Sequence, residues 1–245
     1  MAIRIGIAGI AGRMGQLLAE EAAAAGATVS GGLRRGDDPA ALFAASDVVI
    51  DFTHASAAAP HAAAAAARRP FVLGSSGLNA EQEAAVAAAA QRTAIVYAAN
   101  FAPGVNLFLA LAERMAAALP AEAYDAEIVE LHHRQKVDAP SGTAVALGRA
   151  VARGRGTTLE AAGIESGRDG HTGARRTGAI GFAALRGGQV VGEHTLLFAA
   201  GSEHISLTHR SFDRRVYATG AVRAALWLQG RPPGLYEMKH VLGMA

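Results

Sequence analysis

The sequence predicts an α/β protein that combines a doubly wound parallel sheet with a smaller α/β domain built on a mixed sheet. Three observations support this class. Strand-like and helix-like segments alternate through the first hundred residues, which is typical of a parallel sheet. A glycine-rich turn joins the first strand to the first helix. Beyond residue 178, three further β-like segments follow one another over short connections, as antiparallel strands do.

The first element is a β-segment at residues 3–8, followed by a glycine-rich turn and a helix at 16–25. The turn begins at Gly9, ends at Gly15 and has the spacing G-x-x-G-x-x-G, with Ala11 where the usual dinucleotide fingerprint has its second glycine. Such glycines allow a tight turn and let the backbone approach a pyrophosphate at the start of the helix. The alternative is a turn that serves only the packing of the helix on the strand.

The second strand, at residues 27–30, leads into a basic turn. An acidic residue after this strand would bind the ribose 2′-hydroxyl of NAD, but this chain has Arg34 and Arg35, with Asp37 and Asp38 slightly beyond. Guanidinium groups match the geometry of a 2′-phosphate. We therefore expect NADPH to be preferred over NADH; the alternative is a solvated charged turn.

Three more strands each end in a loop with polar or glycine residues. The carboxyl ends of parallel strands share one edge of the sheet, where ligands bind in this class of fold. These loops therefore predict one cofactor cleft, to which Gly9, Thr53, Gly74 and Asn100 contribute. The strands lie at residues 47–50, 70–73 and 94–97, and the intervening helices at 55–69 and 80–91.

After a helix at residues 105–119, the segment 130–144 (ELHHRQKVDAPSGTA) contains the main candidates for catalytic and substrate-binding residues. It begins in a strand at 126–131 and ends in a helix at 143–151 that Ser141 is expected to cap. Histidine and lysine suit proton transfer near neutral pH, and a helix N-terminus suits an anion such as a carboxylate. The alternative is a solvated basic loop before an ordinary capped helix.

The remaining segments are less informative. Residues 154–178 are rich in Gly, Arg and Thr and predict an exposed loop, which either folds over an anionic ligand or is merely solvated. Segments 179–185, 190–199 and 204–210 predict a mostly antiparallel meander, and residues 217–228 a helix.

Composition excludes several classes of function. The 245 residues, with 51% hydrophobic and 5% aromatic side chains, indicate a helix-rich soluble protein, and the longest apolar run is too short to cross a bilayer. The chain has no cysteine, which excludes disulfides and thiolate metal sites and fits a cytoplasmic location, and no signal peptide is visible. A net charge of +2 gives no support for nucleic acid or membrane partners, so small anions are the expected ligands.

The segment 130–144 resembles the signature of the dihydrodipicolinate reductase family, whose members reduce 4-hydroxy-tetrahydrodipicolinate. The resemblance covers nearly the whole chain, through Gly12-Arg13-Met14-Gly15, Asp51-Phe52-Thr53, Gly74-Ser75-Ser76-Gly77, Ala99-Asn100-Phe101, Val191-Gly192-Glu193-His194-Thr195, Gly220-Ala221-Val222-Arg223-Ala224-Ala225 and Gly234-Leu235-Tyr236.

The resemblance implies a Rossmann-type dinucleotide-binding domain at residues 1–102 and 212–245, and a substrate-binding and tetramerisation domain at 103–211, which hinge shut over their ligands. It implies that His132 and Lys136 supply the proton, and that the substrate is bound by His133, Gly142 and Thr143. The reaction would be hydride transfer from NAD(P)H to a cyclic imine, yielding tetrahydrodipicolinate for lysine biosynthesis through diaminopimelate. With the two arginines already discussed, Arg34 and Arg35, the expected cofactor contacts are Gly9, Ile10, Ala11, Gly12, Arg13, Met14, Gly74, Ser75, Ser76, Ala98, Ala99, Asn100 and Phe101.

Other functions fit the sequence less well. A semialdehyde dehydrogenase needs a cysteine nucleophile, which this chain lacks. A sensor module that only binds NADP would have no need of the histidine–lysine segment. A metal site at His132 and His133 is not expected, because adjacent side chains of a strand diverge and no carboxylate lies at a suitable spacing. Another imine or 2-oxo acid reductase stays open.

Overall fold

The structure is a computed structural model, and it describes residues 2–34, 36–67 and 69–244. In chain order the strands are β1 Arg4–Ala8, β2 Thr28–Leu33, β3 Val48–Asp51, β4 Phe71–Leu73, β5 Ala94–Tyr97, β6 Asp125–His132, β7 Ile164–Ser166, β8 Ile180–Arg186, β9 Gly192–Ala199, β10 His204–Ser211 and β11 Gly234–Tyr236. The helices are α1 Arg13–Ala24, α2 Pro39–Ala45, α3 Ala55–Ala65, α4 Ala80–Ala90, α5 Pro103–Ala118, α6 Gly142–Gly154, α7 Leu159–Ala162, α8 Arg215–Trp227 and α9 Met238–Val241.

The chain divides into two compact units, one made of Met1–Pro103 and Arg214–Ala245 and the other of Gly104–Asp213. In the first unit, the described residues form a parallel sheet of the order β11-β5-β4-β3-β1-β2. One hydrophobic cluster joins this sheet to α1, α8 and α9, and a second joins it to α2, α3 and α4. Helices therefore cover both faces, and the predicted doubly wound parallel sheet is confirmed.

Local sequence explains these elements. Every residue of β3 is buried, and its first three residues are valine and isoleucine, as is usual for a central parallel strand. Helix α2, which the sequence analysis missed, begins where Asp38 caps the N–H of Ala40 and Pro39 occupies the first turn. Helix α4 begins with a capping box between Asn79 and Gln82.

The second unit has a mixed sheet of the order β10-β9-β6-β8-β7, which confirms the predicted mixed sheet. Strands β6, β8 and β7 run parallel, whereas β9 is antiparallel to both β6 and β10. Helices α5 and α6 pack on one face around a core that includes Phe108, Leu147 and Phe198. On the other face, Val129 and Leu185 stay exposed, with 37% and 52% of their surface accessible.

The predicted antiparallel meander is wrong in one respect, because β6 lies between β8 and β9. The connection at residues 187–191 passes over the end of β6, where the N–H of Gly187 donates to the carbonyl of His132 and the N–H of Arg134 to that of Gly188. Five residues are long enough to span the roughly 10 Å between strands that flank a third. The short connection between β8 and β9 is therefore compatible with a sheet in which these two strands do not pair directly.

The predicted exposed loop at residues 154–178 is also more ordered than expected, since it contains α7 and β7. The guanidinium of Arg175 is held by the carboxylates of Asp125 and Glu127 and by three backbone carbonyls, those of Ala126, Arg176 and Ala179. This arginine therefore serves the packing of its own unit.

Candidate functional site

The glycine-rich turn between β1 and α1 is shaped by contacts that only glycine permits. Gly9 has a φ of 79°, and its N–H donates to the carbonyl of Leu33 over 3.0 Å. A Cβ at Gly15 would lie 2.2 Å from the carbonyl oxygen of Gly9, so this helix–loop contact excludes any side chain. Helix α1 starts after Gly12, which has no side chain to cap it. The first N–H groups of α1 are thus left for another acceptor.

The other loops predicted to bind a cofactor follow β3, β4 and β5 at the same edge of the sheet. The N–H of Gly74 donates to the carbonyl of Asp51 over 2.8 Å. A Cβ at Gly74 would lie 2.5 Å from the ring of Phe52, and that ring lies 5.3 Å from the ring of Phe101. Among the described residues, the buried hydroxyl of Ser75 has no hydrogen-bond partner.

A buried acid holds the loop after β3. Asp51 accepts hydrogen bonds from the N–H and hydroxyl of Thr53, at 2.7 and 2.6 Å, and lies 2.7 Å from Nδ1 of His61. In the loop after β5, the side chain of Asn100 accepts from the N–H of Ala102. His54 caps α3 by accepting from the N–H of Ser56.

The basic turn after β2 is only partly described. Arg34 is exposed, and its N–H donates to Asp37 over 2.7 Å; Arg35 lies outside the described residues. Asp37 and Asp38 are both engaged with nearby backbone N–H groups, the second as the cap of α2. The expected arginine contacts to a 2′-phosphate therefore stay a prediction.

In the second unit, a buried ion network surrounds the end of β6. Glu130 is 1% exposed, and its Oε2 lies 2.6 Å from Nδ1 of His132. Arg186, on β8, donates to both carboxylate oxygens over 2.7 and 2.8 Å, and the N–H of Ser141 donates to Oε1 over 3.0 Å. Burial raises the pKa of Glu130, but the hydrogen bonds from Arg186, His132 and Ser141 outweigh it and hold the pKa below its ordinary value.

Helix α6 begins beside this network. Ser141 is its N-cap, as predicted, and its Oγ accepts from the N–H of Ala144 over 3.2 Å. The same Oγ lies 2.9 Å from Nε2 of His194, a buried histidine on β9. Burial and the neighbouring His132 lower the pKa of His194 to about 4, so this ring is neutral, and its tautomer determines whether Nε2 accepts from the serine hydroxyl or donates to it.

The remaining predicted substrate residues lie in the loop from β6 to α6 and in its first turn. The ammonium of Lys136 contacts both oxygens of Asp138, at 2.8 and 2.9 Å, and this contact lowers the pKa of Asp138. Nδ1 of His133 is buried without a hydrogen-bond partner in the described part of the chain. Gly142, the first residue of α6, is exposed, and Thr143 follows it.

Three residues of this site escaped the sequence analysis: Glu130, Arg186 and His194 contribute the network around His132, but none was assigned a role. Glu130 had a local signal, since it lies two residues before His132 in a strand and therefore on the same face. Arg186 and His194 had none, because their positions depend on the pairing of β8 and β9 with β6.

The depressed pKa of His194 makes stability depend on pH. The ring must lose its proton on folding, so the unfolded chain binds more protons between pH 6.5 and about 4. The contribution of this ring is complete above pH 6.5 and declines as the pH falls, by about 3 kcal/mol in all. We expect the unfolding free energy of His194→Gln, measured by urea unfolding, to fall less between pH 7 and 4.5 than that of the wild type, because the variant has no imidazole at this position.

Other groups, Glu130 and His209 among them, also titrate on unfolding, so the prediction concerns the difference between variant and wild type. His171→Gln is the matched control because His171 is exposed. The unfolding free energy of this variant should change with pH as that of the wild type does. Parallel curves for His194→Gln and wild type would contradict the assignment.

The described ranges hold neither a metal cluster nor a membrane-spanning helix. Residues 2–34, 36–67 and 69–244 contain no group of three or more His, Asp or Glu side chains that could hold a metal ion. No helix within them has the length and apolar character needed to span a membrane.

Comparison with known proteins identifies the family. The family model for the dihydrodipicolinate reductase N-terminus matches residues 3–101, and the model for the C-terminus matches residues 104–242. The 4-hydroxy-tetrahydrodipicolinate reductases of Granulibacter bethesdensis and Acidiphilium cryptum are 63% and 62% identical to this chain. Each alignment covers 99% of this chain, with 97% of the first relative and 98% of the second.

Among solved structures, dipicolinate-bound dihydrodipicolinate reductase from Paenisporosarcina sp. TG-14 matches with a TM-score of 0.79 at 23% identity, covering 97% of this chain and 98% of that one. This likeness supports the fold, while the two family models and the high identities over nearly full length support the relationship. The resemblance found in the sequence is confirmed: the chain belongs to the dihydrodipicolinate reductase family.

Proposed function

We propose that the chain reduces (2S,4S)-4-hydroxy-2,3,4,5-tetrahydrodipicolinate with NAD(P)H, giving tetrahydrodipicolinate and water in the diaminopimelate route to lysine. The observation that carries the proposal is the site at the end of β6, where His132, His133 and Lys136 precede the N-terminus of α6. The substrate carries two carboxylates, and cationic side chains with a helix N-terminus suit that charge. Membership in the reductase family supports the same activity.

In this proposal each side chain of the second unit has a defined task. His132 and Lys136 supply the proton that hydride addition to the unsaturated ring requires. His133, whose buried Nδ1 lacks a partner among the described residues, binds a substrate carboxylate. The backbone of Gly142 and the side chain and backbone of Thr143, in the first turn of α6, bind a carboxylate as well.

The first unit has features that fit a dinucleotide. The uncapped start of α1 suits a pyrophosphate, and the close contact of Gly15 with the carbonyl of Gly9 fixes the turn before it; the hydroxyl of Ser75, which has no partner among the described residues, can bind another part of the cofactor. When bound, the nicotinamide would supply the hydride. Loss of the 4-hydroxyl group of the substrate as water would leave an unsaturated C4, and this carbon would accept the hydride while a ring atom takes up a proton. We assign the contacts to the loops containing Gly9–Met14, Gly74–Ser76 and Ala98–Phe101.

A preference for NADPH is a further part of the proposal. Asp37 and Asp38 bind local N–H groups, which reduces their availability for a ribose 2′-hydroxyl. Arg34 is exposed at the end of β2, and a guanidinium there favours a 2′-phosphate.

We further propose that residues 1–102 and 212–245 bind the cofactor, that residues 103–211 bind the substrate and build a homotetramer, and that the enzyme acts in the cytoplasm with its domains closing over the ligands. The exposed Val129 and Leu185, on the face of the second sheet opposite α5 and α6, support association through that face. Sedimentation velocity measures the size of the assembly.

A coupled assay tests the activity. Pyruvate and aspartate semialdehyde are condensed enzymatically to 4-hydroxy-tetrahydrodipicolinate, and oxidation of NADPH or NADH is followed at 340 nm. We expect turnover with both cofactors and a higher kcat/KM for NADPH, because Arg34 can pair with the 2′-phosphate; Arg34→Ala should reduce this ratio several-fold while kcat changes little.

Two outcomes would contradict parts of the proposal. A clear preference of the wild type for NADH would end the role assigned to Arg34. Turnover of another cyclic imine or 2-oxo acid, with none of the hydroxy-tetrahydrodipicolinate, would overturn the substrate assignment while leaving a reductase of the same family.

A further inference from the structure

We propose that Glu130 is a positioning residue for the reaction, which fixes the tautomer and orientation of His132 and is itself fixed by Arg186. The inference rests on the proposed function, since it takes His132 as the group that delivers a proton to the substrate. Its first half, the tautomer of His132, can be measured without substrate.

The carboxylate of Glu130 is surrounded entirely by donors. Its Oε2 lies 2.6 Å from Nδ1 of His132 and accepts from Arg186 over 2.7 Å. Its Oε1 accepts from Arg186 over 2.8 Å and from the N–H of Ser141 over 3.0 Å. The backbone N–H and the guanidinium can only donate, so Glu130 is an ionised acceptor, and the hydrogen of the His132 contact lies on Nδ1.

This arrangement leaves Nε2 as the nitrogen of His132 that can exchange a proton with a ligand. Residue 192 on β9 is a glycine, and a Cβ there would lie 3.1 Å from Nε2, so the absence of a side chain keeps space beside this atom. The neutral ring of His194 lies across that of His132 with centroids 5.0 Å apart. When Nε2 gives up its proton, the Nδ1–H bond to Glu130 persists, so the ring need not rotate or exchange its remaining hydrogen.

Arg186 links this carboxylate to the loop that carries Lys136. The guanidinium donates to the carbonyl of Asp138 over 2.6 Å while it holds both oxygens of Glu130. Asp138 in turn contacts the ammonium of Lys136. One arginine therefore holds both the carboxylate of Glu130, which contacts His132, and the backbone of Asp138, whose side chain contacts Lys136.

Glutamine at position 130 is nearly the same shape but has only one acceptor oxygen. The backbone N–H of Ser141 is fixed in direction and needs an acceptor. If the amide oxygen of Gln in the Glu130→Gln variant accepts from it, the amide NH₂ group faces His132. The histidine can respond only by accepting at Nδ1 and carrying its hydrogen on Nε2. The doubly protonated ring then has a donor facing a donor, which disfavours the form that delivers a proton.

The experiment combines steady-state kinetics with ¹⁵N NMR of the histidine rings, assigned with a His132→Gln variant. In the wild type, at a pH where the ring is neutral, we expect His132 to be protonated at Nδ1; in Glu130→Gln we expect protonation at Nε2. We expect kcat to fall about 100-fold or more in Glu130→Gln, while KM for substrate and for NADPH changes less than about threefold.

Glu113→Gln is the matched control, because Glu113 also pairs with an arginine of the same unit, Arg153, but at an exposed position. Its kcat should equal that of the wild type. An Nε2–H tautomer in the wild type, or wild-type kcat in a folded Glu130→Gln, would overturn the proposal. If Glu130→Gln does not fold, the tautomer of His132 in the wild type still tests the proposal. Absence of any turnover by the wild type would refute the proposed function separately, leaving the ring measurement valid.

Discussion

Replacing Lys136 or His132 with alanine is expected to lower kcat about 10²- to 10⁴-fold, the range that a positioned proton donor contributes. Hydride addition displaces electrons in the substrate ring, and the atom that receives them needs a proton. Lys136 already lies beside the site, with its ammonium held by Asp138 at 2.8 Å. His132 is held by Glu130 at 2.6 Å. Neither residue lies in the loops assigned to the cofactor, so KM for NADPH should stay within about threefold.

The chain supplies matched controls for both variants. Lys239 is the only other lysine, and it pairs with Glu237 at an exposed position, so Lys239→Ala should leave kcat unchanged. His171→Ala tests the removal of an exposed imidazole in the second unit. His133→Ala should instead raise KM for the substrate more than it lowers kcat, because this residue is proposed to bind and not to transfer a proton. Normal turnover in both Lys136→Ala and His132→Ala would refute their assigned roles.

The sequence could predict those parts of the fold and site that depend on neighbours along the chain. Alternation of strands and helices indicated the parallel sheet, the spacing of Gly9 and Gly15 indicated a tight strand–helix turn, and Ser141 was identified as the cap of α6. Each of these signals lies within a few residues of the structure that it specifies.

The parts that were missed depend on distant pairing. Arg186 reaches Glu130 across 56 positions and His194 reaches Ser141 across 53, and both contacts exist only because β8 and β9 flank β6. The short connection between β8 and β9 favoured direct pairing, and nothing in its length shows that β6 is inserted between them. Strand β11, three residues long, was too short for alternation to reveal.

Loss of Arg186 should produce the largest effect on stability. Its guanidinium holds Glu130, whose side chain is 0% exposed, through two hydrogen bonds. Arg186→Ala leaves a buried carboxylate without its main counter-charge, and breaking a buried pair in this way costs about 3–5 kcal/mol. Arg153→Ala is the control, since Arg153 and Glu113 are 56% and 45% exposed, and such a surface pair contributes at most about 1 kcal/mol. Urea unfolding at pH 7 measures the loss of unfolding free energy in both variants.

Two measurements distinguish whether Arg186→Ala destabilises the protein by loss of the ion pair or by loss of packing. They are the pH dependence of its unfolding free energy and the stability of a double variant. The pKa of Glu130 is depressed, so its stabilisation is present above the ordinary value near 4.5 and disappears as the pH falls through the lowered pKa. The difference between wild type and Arg186→Ala should therefore narrow in acid. At pH 7, Glu130→Gln added to Arg186→Ala should recover part of the lost unfolding free energy, because the buried charge is then gone. If the double variant is less stable than Arg186→Ala, the arginine acts through packing and not through the carboxylate.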